Sequence, residues 1–488
     1  MSKYMKPSIF AVILLILISG YALFCQPLIG LADNGDFFRI IASNGLKHEQ
    51  NRDVNDFFGY FNYKYDKLQY YNELEGKIKS THNIILRLSI AIDDIFTNDE
   101  KFDIRFQAAI CLIVLAFSIY WMVEIAEAMT QNKKLQYFFA LMAVVIFGDI
   151  GYTSYFNSFY GEAIAYPFFL LSISALLKFI LKDGMKIRYI LTFFMATFIF
   201  IGSKNQLAPN GIIACILLIT LLFFRIEINK KILAVAFGFI LLVSTLVFYI
   251  VIDDSIYLVN KYHMMTRGIM LFEPDVQQVT EESGLNGQYS LMAETIYFDR
   301  TPAIDPKDEI LIKDFYSQYN IATVTMYYFT HPKAFSKMME LGWKNSFTVR
   351  PEVLGNYTRS SGRDFGERTS FFTVWSYFKD NYIPHTSGLI YIIFTIYVAL
   401  SINRILKYRQ KGRRVIDHCF EAVMVYIFLT GFSQILVSFI GAGDADLKKH
   451  LFMTTVSLDI LFYFNLIYAI SIFHKKSSRK EAVYGRKT

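Results

Sequence analysis

Long apolar runs alternate with polar segments along the whole chain. The runs cover residues 9–24, 105–128, 136–150, 161–181, 188–203, 208–224, 232–252, 388–406, 416–440 and 450–473. A membrane-spanning helix needs about 20 apolar residues, so most of these runs are of spanning length. The runs 136–150 and 188–203 are short by that measure. The pattern predicts an all-α polytopic membrane protein with about ten transmembrane helices.

Two long polar segments interrupt this series of helices and predict the domain organisation. The first contains helical apolar spacing from Ile84 to Ile95, which is typical of a helix lying along the membrane interface. The second has helical patterning at 308–345. We predict three parts: an N-terminal transmembrane module over 1–252 with helices 1–7 and a loop at 26–103, a loop domain at 253–387, and helices 8–10 with a basic tail at 388–488.

Basic residues predict the orientation, because short cytoplasmic loops carry an excess of Lys and Arg. Alternate connections between the runs are basic, as is the C-terminal tail. The basic positions include Lys133, Lys134, Lys182, Lys186, Arg188, Arg225, Lys230, Lys231, Arg404, Lys407, Arg409, Lys411, Arg413 and Arg414. We therefore expect a plasma-membrane protein with both termini in the cytoplasm and both large loops outside.

Composition agrees with a membrane protein and excludes a soluble enzyme. The chain of 488 residues is 54% hydrophobic, 17% aromatic and 19% charged. A formal charge of +7 is compatible with nucleic-acid binding. The cations lie in short loops between apolar runs, however, so no nucleic-acid partner is expected. Cys25, Cys111, Cys215 and Cys419 lie in or beside apolar runs without metal-ligand spacing, and we interpret them as buried thiols.

The candidate catalytic stretch follows the first apolar run and contains Asp33, Asp36 and Arg39. Ionisable groups at membrane depth are costly and tend to be functional. The 33–35 segment has turn chemistry, and Asp36 stands where it would cap a short helix. A carboxylate at this place suits a general base acting on membrane-bound substrates. The alternative is that Asp33 is a turn residue and Asp36 only a helix cap.

A second polar stretch, residues 148–162, is rich in aromatic and hydrogen-bonding side chains. Aromatic faces beside amides and carboxylates are typical of sugar binding, although an interfacial aromatic belt has the same tyrosines. Asp149 and Glu162 stand at the ends of membrane helices, where a belt does not explain them. We predict substrate binding by Asp149, Tyr155, Asn157, Tyr160 and Glu162.

Cations near the predicted outer face are candidates for binding a lipid phosphate. Lys204 lies in a very short loop, and Lys448 and Lys449 stand outside against the charge rule. Arg350 offers forked hydrogen bonds to a phosphate. The alternatives are that these lysines snorkel to the membrane interface and that Arg350 lies on a solvated loop surface. The predicted phosphate-binding residues are Arg39, Lys204, Arg350, Lys449 and His450, with Asn356 and Tyr357 assigned to substrate binding.

The polar stretches described above, in this order and topology, resemble those of the GT-C superfamily of polytopic glycosyltransferases. Within it the chain looks like the WsfD-type glycan-biosynthesis hexose transferases. The matching pieces are residues 32–39 (ADNGDFFR), 155–162 (YFNSFYGE), 331–332 (HP), 354–357 (LGNY) and 449–452 (KHLF). The usual signature has Asp-Glu or Asp-x-Asp, whereas Asp36 is followed by Phe37. The Asp36–Arg39 start is similar to the Asp-Glu-x-Arg start of aminoarabinose transferases, which favours Asp36 as the base.

The resemblance implies transfer of a sugar from a polyprenyl phosphate to a cell-surface glycan acceptor, with inversion. Asp36 would then be the general base, and Asp33 would shape the turn or help to bind a metal. Whether a divalent metal is needed stays open, and no other cofactor is expected. A lipid-linked glycan flippase or transporter is the runner-up, because membrane carboxylates and lysines also fit proton or substrate pathways. A structural partner in glycan assembly is the third alternative.

Overall fold

The structure is a computed structural model. This structure describes residues 5–49, 53–69, 79–97, 99–181, 186–222, 227–251, 254–410 and 416–484. Within these ranges the chain is a polytopic all-α membrane protein, and its strands are confined to one small sheet.

The membrane-forming helices arise where the apolar runs were found. The first is α1 (Pro7–Phe24), which is followed by α2 (Phe37–Ser43) and α3 (His82–Phe96) of the first loop. The next are α4 (Arg105–Met129), α5 (Lys133–Phe147), α6 (Ile150–Thr153), α7 (Glu162–Leu181), α8 (Ile187–Gly202), α9 (Asn210–Leu222) and α10 (Ile228–Ile250). Near the C-terminus they are α17 (Ser387–Gln410), α18 (Ile416–Ala442) and α20 (Phe452–Tyr484), with the four-residue α19 (Leu447–His450) between the last two.

The predicted ten spans are present as apolar helices, but they differ in length. In the described part of the chain, 7 helices are long and apolar enough to cross a membrane. An eighth candidate is a pair of helices, Lys133–Phe147 and Ile150–Asn157, bent by 43°. The remaining two, Ile187–Gly202 and Asn205–Thr220, are shorter. The runs 136–150 and 188–203 were already short by sequence, whereas the helix at 208–224 is shorter than predicted.

The first long loop folds into a compact layer beside the helix ends. It contains α2 (Phe37–Ser43), β1 (Leu46–His48), β2 (Lys64–Lys67), α3 (His82–Phe96) and β3 (Lys101–Asp103). The strands form an antiparallel sheet in the order β1-β2-β3, with Lys47 opposite Asp66 and Tyr65 opposite Phe102. This sheet was not predicted, because strands of three or four residues are too short to show an alternating pattern.

The second long loop has a hydrophobic core of its own, as a domain of that length requires. Its helices are α11 (Asp254–His263), α12 (Met270–Phe272), α13 (Val276–Glu282), α14 (Ile321–Thr330), α15 (Pro332–Asn345) and α16 (Val374–Tyr382), and π-helical segments cover Met264–Ile269 and Leu311–Phe315. Its buried core includes Phe315, Met338 and Trp343, and it continues onto Ile435 and Phe439 of α18. The loop domain is therefore fixed to the membrane helices by apolar burial.

The main core joins the N-terminal and C-terminal membrane helices. α7 packs against α4, α8 and α18, and α1 packs against α4 and α5. Charged residues inside this bundle are paired: Lys178 on α7 lies 2.7 Å from Glu124 on α4, and Arg404 on α17 pairs with Glu421 on α18. Pairing lowers the free-energy cost of keeping such charges away from water. The rigid bundle presents the ends of α1, α7, α8 and α18 to the two loops.

Candidate active site

A cavity of about 270 Å³ opens where the two loops meet the ends of the membrane helices. Its charged lining comes from four separate parts of the chain. These carry Asp36 and Arg39 at the start of α2, Tyr160 and Glu162 at the start of α7, Lys204 to Gln206 after α8, and Lys449 and His450 of α19. Apolar side chains such as Ile40, Phe159, Ile256 and Ile321 complete the wall. The fold thus brings together most of the charged residues that the sequence suggested.

The central contact of this cavity is an ion pair between Asp36 and Lys449. The Lys449 Nζ atom lies 2.5 Å from Asp36 Oδ2 and 3.2 Å from Asp446 Oδ2. The Lys449 side chain is only 6% exposed, whereas that of Asp36 is 35% exposed. Arg39 donates from the other side, with its guanidinium 3.1 Å from Asp36 Oδ1. Asp36 is therefore a half-exposed carboxylate between two cations.

Asp33, and not Asp36, makes the hydrogen bonds that were predicted for the helix cap. Asp36 occupies the N-cap position of α2 but its side chain makes no cap hydrogen bond. Asp33 Oδ1 instead accepts from the backbone N–H groups of Gly35 at 2.7 Å and Phe37 at 3.2 Å. Asp33 Oδ2 also lies 3.2 Å from Nε2 of His48, and the Asp33 side chain is 2% exposed. Asp33 therefore holds the turn and the helix start, which leaves the carboxylate of Asp36 directed to the cavity.

The turn that carries Asp36 owes its shape to two further features. Gly35 has a φ of +101°, a conformation that residues with a Cβ atom rarely adopt. Asn34 accepts from the Asp36 N–H at 3.2 Å, and its own N–H donates to the Tyr160 hydroxyl at 3.0 Å. Tyr160 donates in turn to the Ala32 carbonyl at 2.9 Å. The base candidate is thus positioned by side chains and backbone that are themselves fixed.

The charges around Asp36 control its protonation. Burial favours the neutral acid, but the ammonium of Lys449 and the guanidinium of Arg39 outweigh it and hold the pKa of Asp36 well below its usual range. Burial lowers the pKa of Lys449, yet Asp36 and Asp446 reverse this and raise it above the usual value. Burial and the neighbouring lysines lower the pKa of His450 to about 3. At neutral pH the pair is fully ionised and His450 is neutral.

Lys204 and Glu162 form a second ion pair in the same cavity. Lys204 Nζ lies 2.8 Å from Glu162 Oε1. Gln206, two residues after Lys204, donates to Ser438 Oγ at 2.9 Å and to the His450 carbonyl at 3.0 Å, which ties this turn to α18 and α19. The cavity therefore offers cations whose present partners are carboxylates that an incoming anion can replace.

Three residues assigned by sequence to substrate binding lie in the core instead. Asp149 accepts from the backbone of Gly151, Trp375 and Ser376 and from the Ser376 hydroxyl, at 2.7 to 3.0 Å. Asn157 donates to the Leu23 and Ile29 carbonyls, and the buried Tyr155 ring packs 4.7 Å from that of Phe452. Their polar groups are turned inward because the 148–162 stretch joins α5 to α7 inside the bundle. They position the loops and do not line this cavity.

Arg350, Asn356 and Tyr357 also lie apart from Asp36, on the second loop. The Asn356 side chain donates to the Gly30 carbonyl at 2.7 Å, and Tyr357 forms an isolated β-bridge with Ile29. The backbone of Asn356 and Gly355 accepts from Gly30 and Ala32 at 3.0 Å. This segment therefore supports the stretch that leads to Asp36. Arg350 lines a different cavity, beside α15 and α16.

A buried polar cluster around Asp459 was missing from the sequence prediction. Its carboxylate accepts from the Tyr152 hydroxyl at 2.5 Å, Trp375 Nε1 at 2.8 Å and Lys379 Nζ at 2.9 Å. An aspartate within the apolar run 450–473 was a signal that could have found it. The cluster ties α16 of the second loop to α20 and α6.

The donor set does not favour a metal at this site. Within the described ranges, no group of three His, Cys, Asp or Glu side chains is placed to hold a metal ion. Asp36 and Asp446 approach each other only through the ammonium of Lys449, which a divalent cation would have to displace.

Comparison with known proteins identifies the family. Residues 1–487 match the family described as the YfdI N-terminal transmembrane domain. The chain belongs to this family. No curated protein matches the chain. Family membership therefore agrees with the transmembrane architecture, while the WsfD-type likeness and the donor stay predictions.

Proposed function

We propose that this protein is a membrane glycosyltransferase whose active site is the Asp36 cavity. It would move a sugar, a hexose by the resemblance stated above, from a polyprenyl phosphate to a glycan acceptor on the outer face of the membrane. The observation that carries the proposal is the Asp36–Lys449 pair in a cavity at the ends of membrane helices. A YfdI-family transmembrane chain is compatible with a protein that modifies glycans at a membrane.

The proposed reaction is a single displacement at the anomeric carbon. Asp36 accepts the proton of the acceptor hydroxyl while the acceptor oxygen forms a bond to that carbon. The bond from the anomeric carbon to the phosphate oxygen breaks, and its electron pair leaves with the polyprenyl phosphate. Lys449, Lys204 and Arg39 stabilise this anion where its charge develops. The products are the inverted glycoside, polyprenyl phosphate and a protonated Asp36 that returns its proton to water.

The ion pair supports a specific order of events. In the free protein Lys449 keeps Asp36 fully ionised but weakly basic, because the pKa of Asp36 lies well below its usual range. A donor phosphate competes with Asp36 for the Lys449 ammonium. When Lys449 turns to the phosphate, Asp36 loses the larger of the two neighbouring charges that lower its pKa and becomes a stronger base, although Arg39 stays beside it. Donor binding would therefore activate the base.

The lining also suits a lipid-linked donor. Besides its charged groups, the cavity is lined by Ile256 and Ile321 and by the ring of Tyr249. The cavity touches α18 through Val437 and Ser438, near the end of that helix. A phosphate at the cations would leave the prenyl chain free to extend along apolar helix surface.

A direct assay tests this function. The purified protein in detergent would be incubated with polyprenyl-phosphate hexoses and a panel of glycan acceptors, and release of polyprenyl phosphate would be measured. We expect consumption of at least one donor by the natural protein and none by Asp36→Asn. A lipid-linked glycan flippase, the alternative, needs a sealed bilayer. Failure to consume any donor in detergent, together with donor translocation in proteoliposomes, would favour the flippase.

A further inference from the structure

A second, larger cavity of about 700 Å³ lies beside α15 and α16. Its wall carries the cationic side chains of Lys344, Arg350, Arg368 and Lys448 and the two carboxylates of Glu352 and Asp380. Apart from His385, four positive and two negative side chains leave an excess of +2. Hydroxyl and amide groups of Thr369, Ser370, Asn345 and Asn381 fill the remaining wall. Such a lining suits a polar, anionic molecule.

Arg350 is the strongest sign that this cavity is a binding site. Its side chain is buried, with the residue only 5% exposed. It donates to Asn356 Oδ1 and, at 2.8 Å, to the Thr369 carbonyl, both neutral groups. Its Nε has no hydrogen-bond partner among the described residues. A buried guanidinium without a carboxylate partner is costly, and a bound anion removes that cost.

Arg368 adds a second cation with a weak partner. Its guanidinium lies 3.7 Å from Asp380 Oδ2, beyond hydrogen-bond distance, and its Nε is also unpartnered within the described chain. Burial and the charge of Arg368 lower the pKa of Arg350 to about 10, although the carboxylates of Asp149 and Asp380 act in the opposite direction. An oxyanion between them would accept forked hydrogen bonds from both.

The position of this cavity links it to the Asp36 site. Lys448 lines it and is held 2.6 Å from Glu352, whereas the next residue, Lys449, lines the Asp36 cavity. Asn356, the partner of Arg350, also bonds the Gly30 carbonyl at the start of the catalytic stretch. The two cavities therefore share structural supports, and adjacent residues of one short helix line each of them.

We infer that this second cavity binds the glycan acceptor, and that it selects acceptors carrying an oxyanion, a phosphate or a uronate carboxylate. Calling this ligand an acceptor rests on the proposed function, whereas the recognition of an anionic saccharide by this cavity does not. The hydroxyl and amide groups would bind sugar hydroxyls, and Arg350, Arg368 and Lys448 would bind the oxyanion. A neutral saccharide would leave the two arginines uncompensated and bind more weakly.

Binding measurements test this without requiring turnover. Full-length protein in detergent would be dialysed to equilibrium against three matched disaccharides ending in glucose, glucuronate or glucose 6-phosphate. We expect at least one anionic disaccharide to bind about tenfold or more tightly than the neutral one, as hydrogen bonds between charged groups allow. Arg368→Gln and Lys448→Gln should each remove most of that preference. Arg350 is not varied first, because it also holds Asn356 and Thr369 in place.

Arg363→Gln is the matched control. Arg363 lies in the same loop, is 50% exposed and pairs with Glu367 at 3.1 Å, outside the cavity wall. It should leave the preference unchanged. Equal binding of all three disaccharides, or a preference that survives both cavity variants, would overturn the inference. So would Arg368-dependent binding to phosphatidylglycerol vesicles with no disaccharide binding.

Failure of the inference and failure of the proposed function give different results. Sugar transfer to neutral acceptors with no anionic preference would overturn only the inference. Tight binding of an anionic disaccharide, without consumption of any polyprenyl-phosphate sugar, would support the saccharide site and contradict the transferase.

Discussion

Asp36 Oδ2 and Lys449 Nζ are 2.5 Å apart although 413 positions separate the two residues along the chain. The pair joins the loop after the first membrane helix to the turn before the last. It places a carboxylate and a buried ammonium at one cavity, and each controls the charge of the other.

The first prediction separates the two aspartates. Asp36→Asn should fold and bind donor but lose about 100- to 10,000-fold in transfer rate, because it removes a general base. Asp33→Asn should instead lower thermal stability, since Asp33 holds the turn and the start of α2. Transfer rates and melting curves in detergent check both. If Asp36→Asn keeps a near-full transfer rate, then Asp36 is not the general base.

The second prediction concerns pH. Because the pKa of Asp36 in the folded protein is lowered, its carboxylate stays ionised until the pH falls below the usual carboxyl range. Lys449→Met removes the largest of the charges that lower this pKa, so that burial, which raises it, is opposed mainly by Arg39. The acid limb of kcat/KM for the donor should therefore move to higher pH in Lys449→Met, and Lys449→Arg should keep it low. If the acid limb does not move in Lys449→Met, then the Asp36–Lys449 pair does not determine that limb.

The third prediction uses the Lys204–Glu162 pair. Lys204→Gln should raise the KM for the lipid donor roughly tenfold or more, in line with the loss of a hydrogen bond to a charged group. Glu162→Gln should lower it, because it frees Lys204 and removes a negative charge near the phosphate. Acceptor KM serves as the control and should change little. Equal shifts in both constants would contradict a donor-phosphate role.

The fourth prediction tests the buried Asp459 cluster. Asp459→Leu leaves Lys379 buried without its carboxylate, and removing one partner of such a pair typically destabilises a protein by about 3–5 kcal/mol. Replacing both residues, with Lys379→Met added, should recover much of that loss. Thermal unfolding of the two single variants and the double variant measures the coupling. Additive losses would show that the pair does not act as a unit.

The fifth prediction tests the orientation given by the charge pattern. Cys25 is exposed, contrary to its interpretation as a buried thiol, so the test uses a Cys25→Ser background. There a membrane-impermeant thiol reagent should label Ser360→Cys on intact cells and leave Lys134→Cys unlabelled. Both positions are exposed and belong to opposite sides in the predicted topology. Labelling of Lys134→Cys from outside would reverse the orientation.

Sequence patterns predicted the helices well because apolar runs of this length have few other uses. The same patterns could not pair Asp36 with Lys449. The violation of the charge rule marked Lys449, but its partner depends on how both loops fold. Asp36 does stand at the predicted cap position of α2, but Asp33 makes the hydrogen bonds to the backbone there. Arg350 was grouped with the donor cations by charge alone, and only tertiary structure places it in a separate cavity.

The four-residue helix α19 has a consequence for ligand binding. Successive residues of a helix point about 100° apart, so Lys448 and Lys449 enter different cavities from one rigid turn. A ligand that draws Lys448 away from Glu352 acts on the same turn that holds Lys449 against Asp36. Where the turn itself moves, the two sites are thermodynamically coupled, and such coupling is reciprocal. Occupancy of either cavity would change the affinity of the other by the same factor.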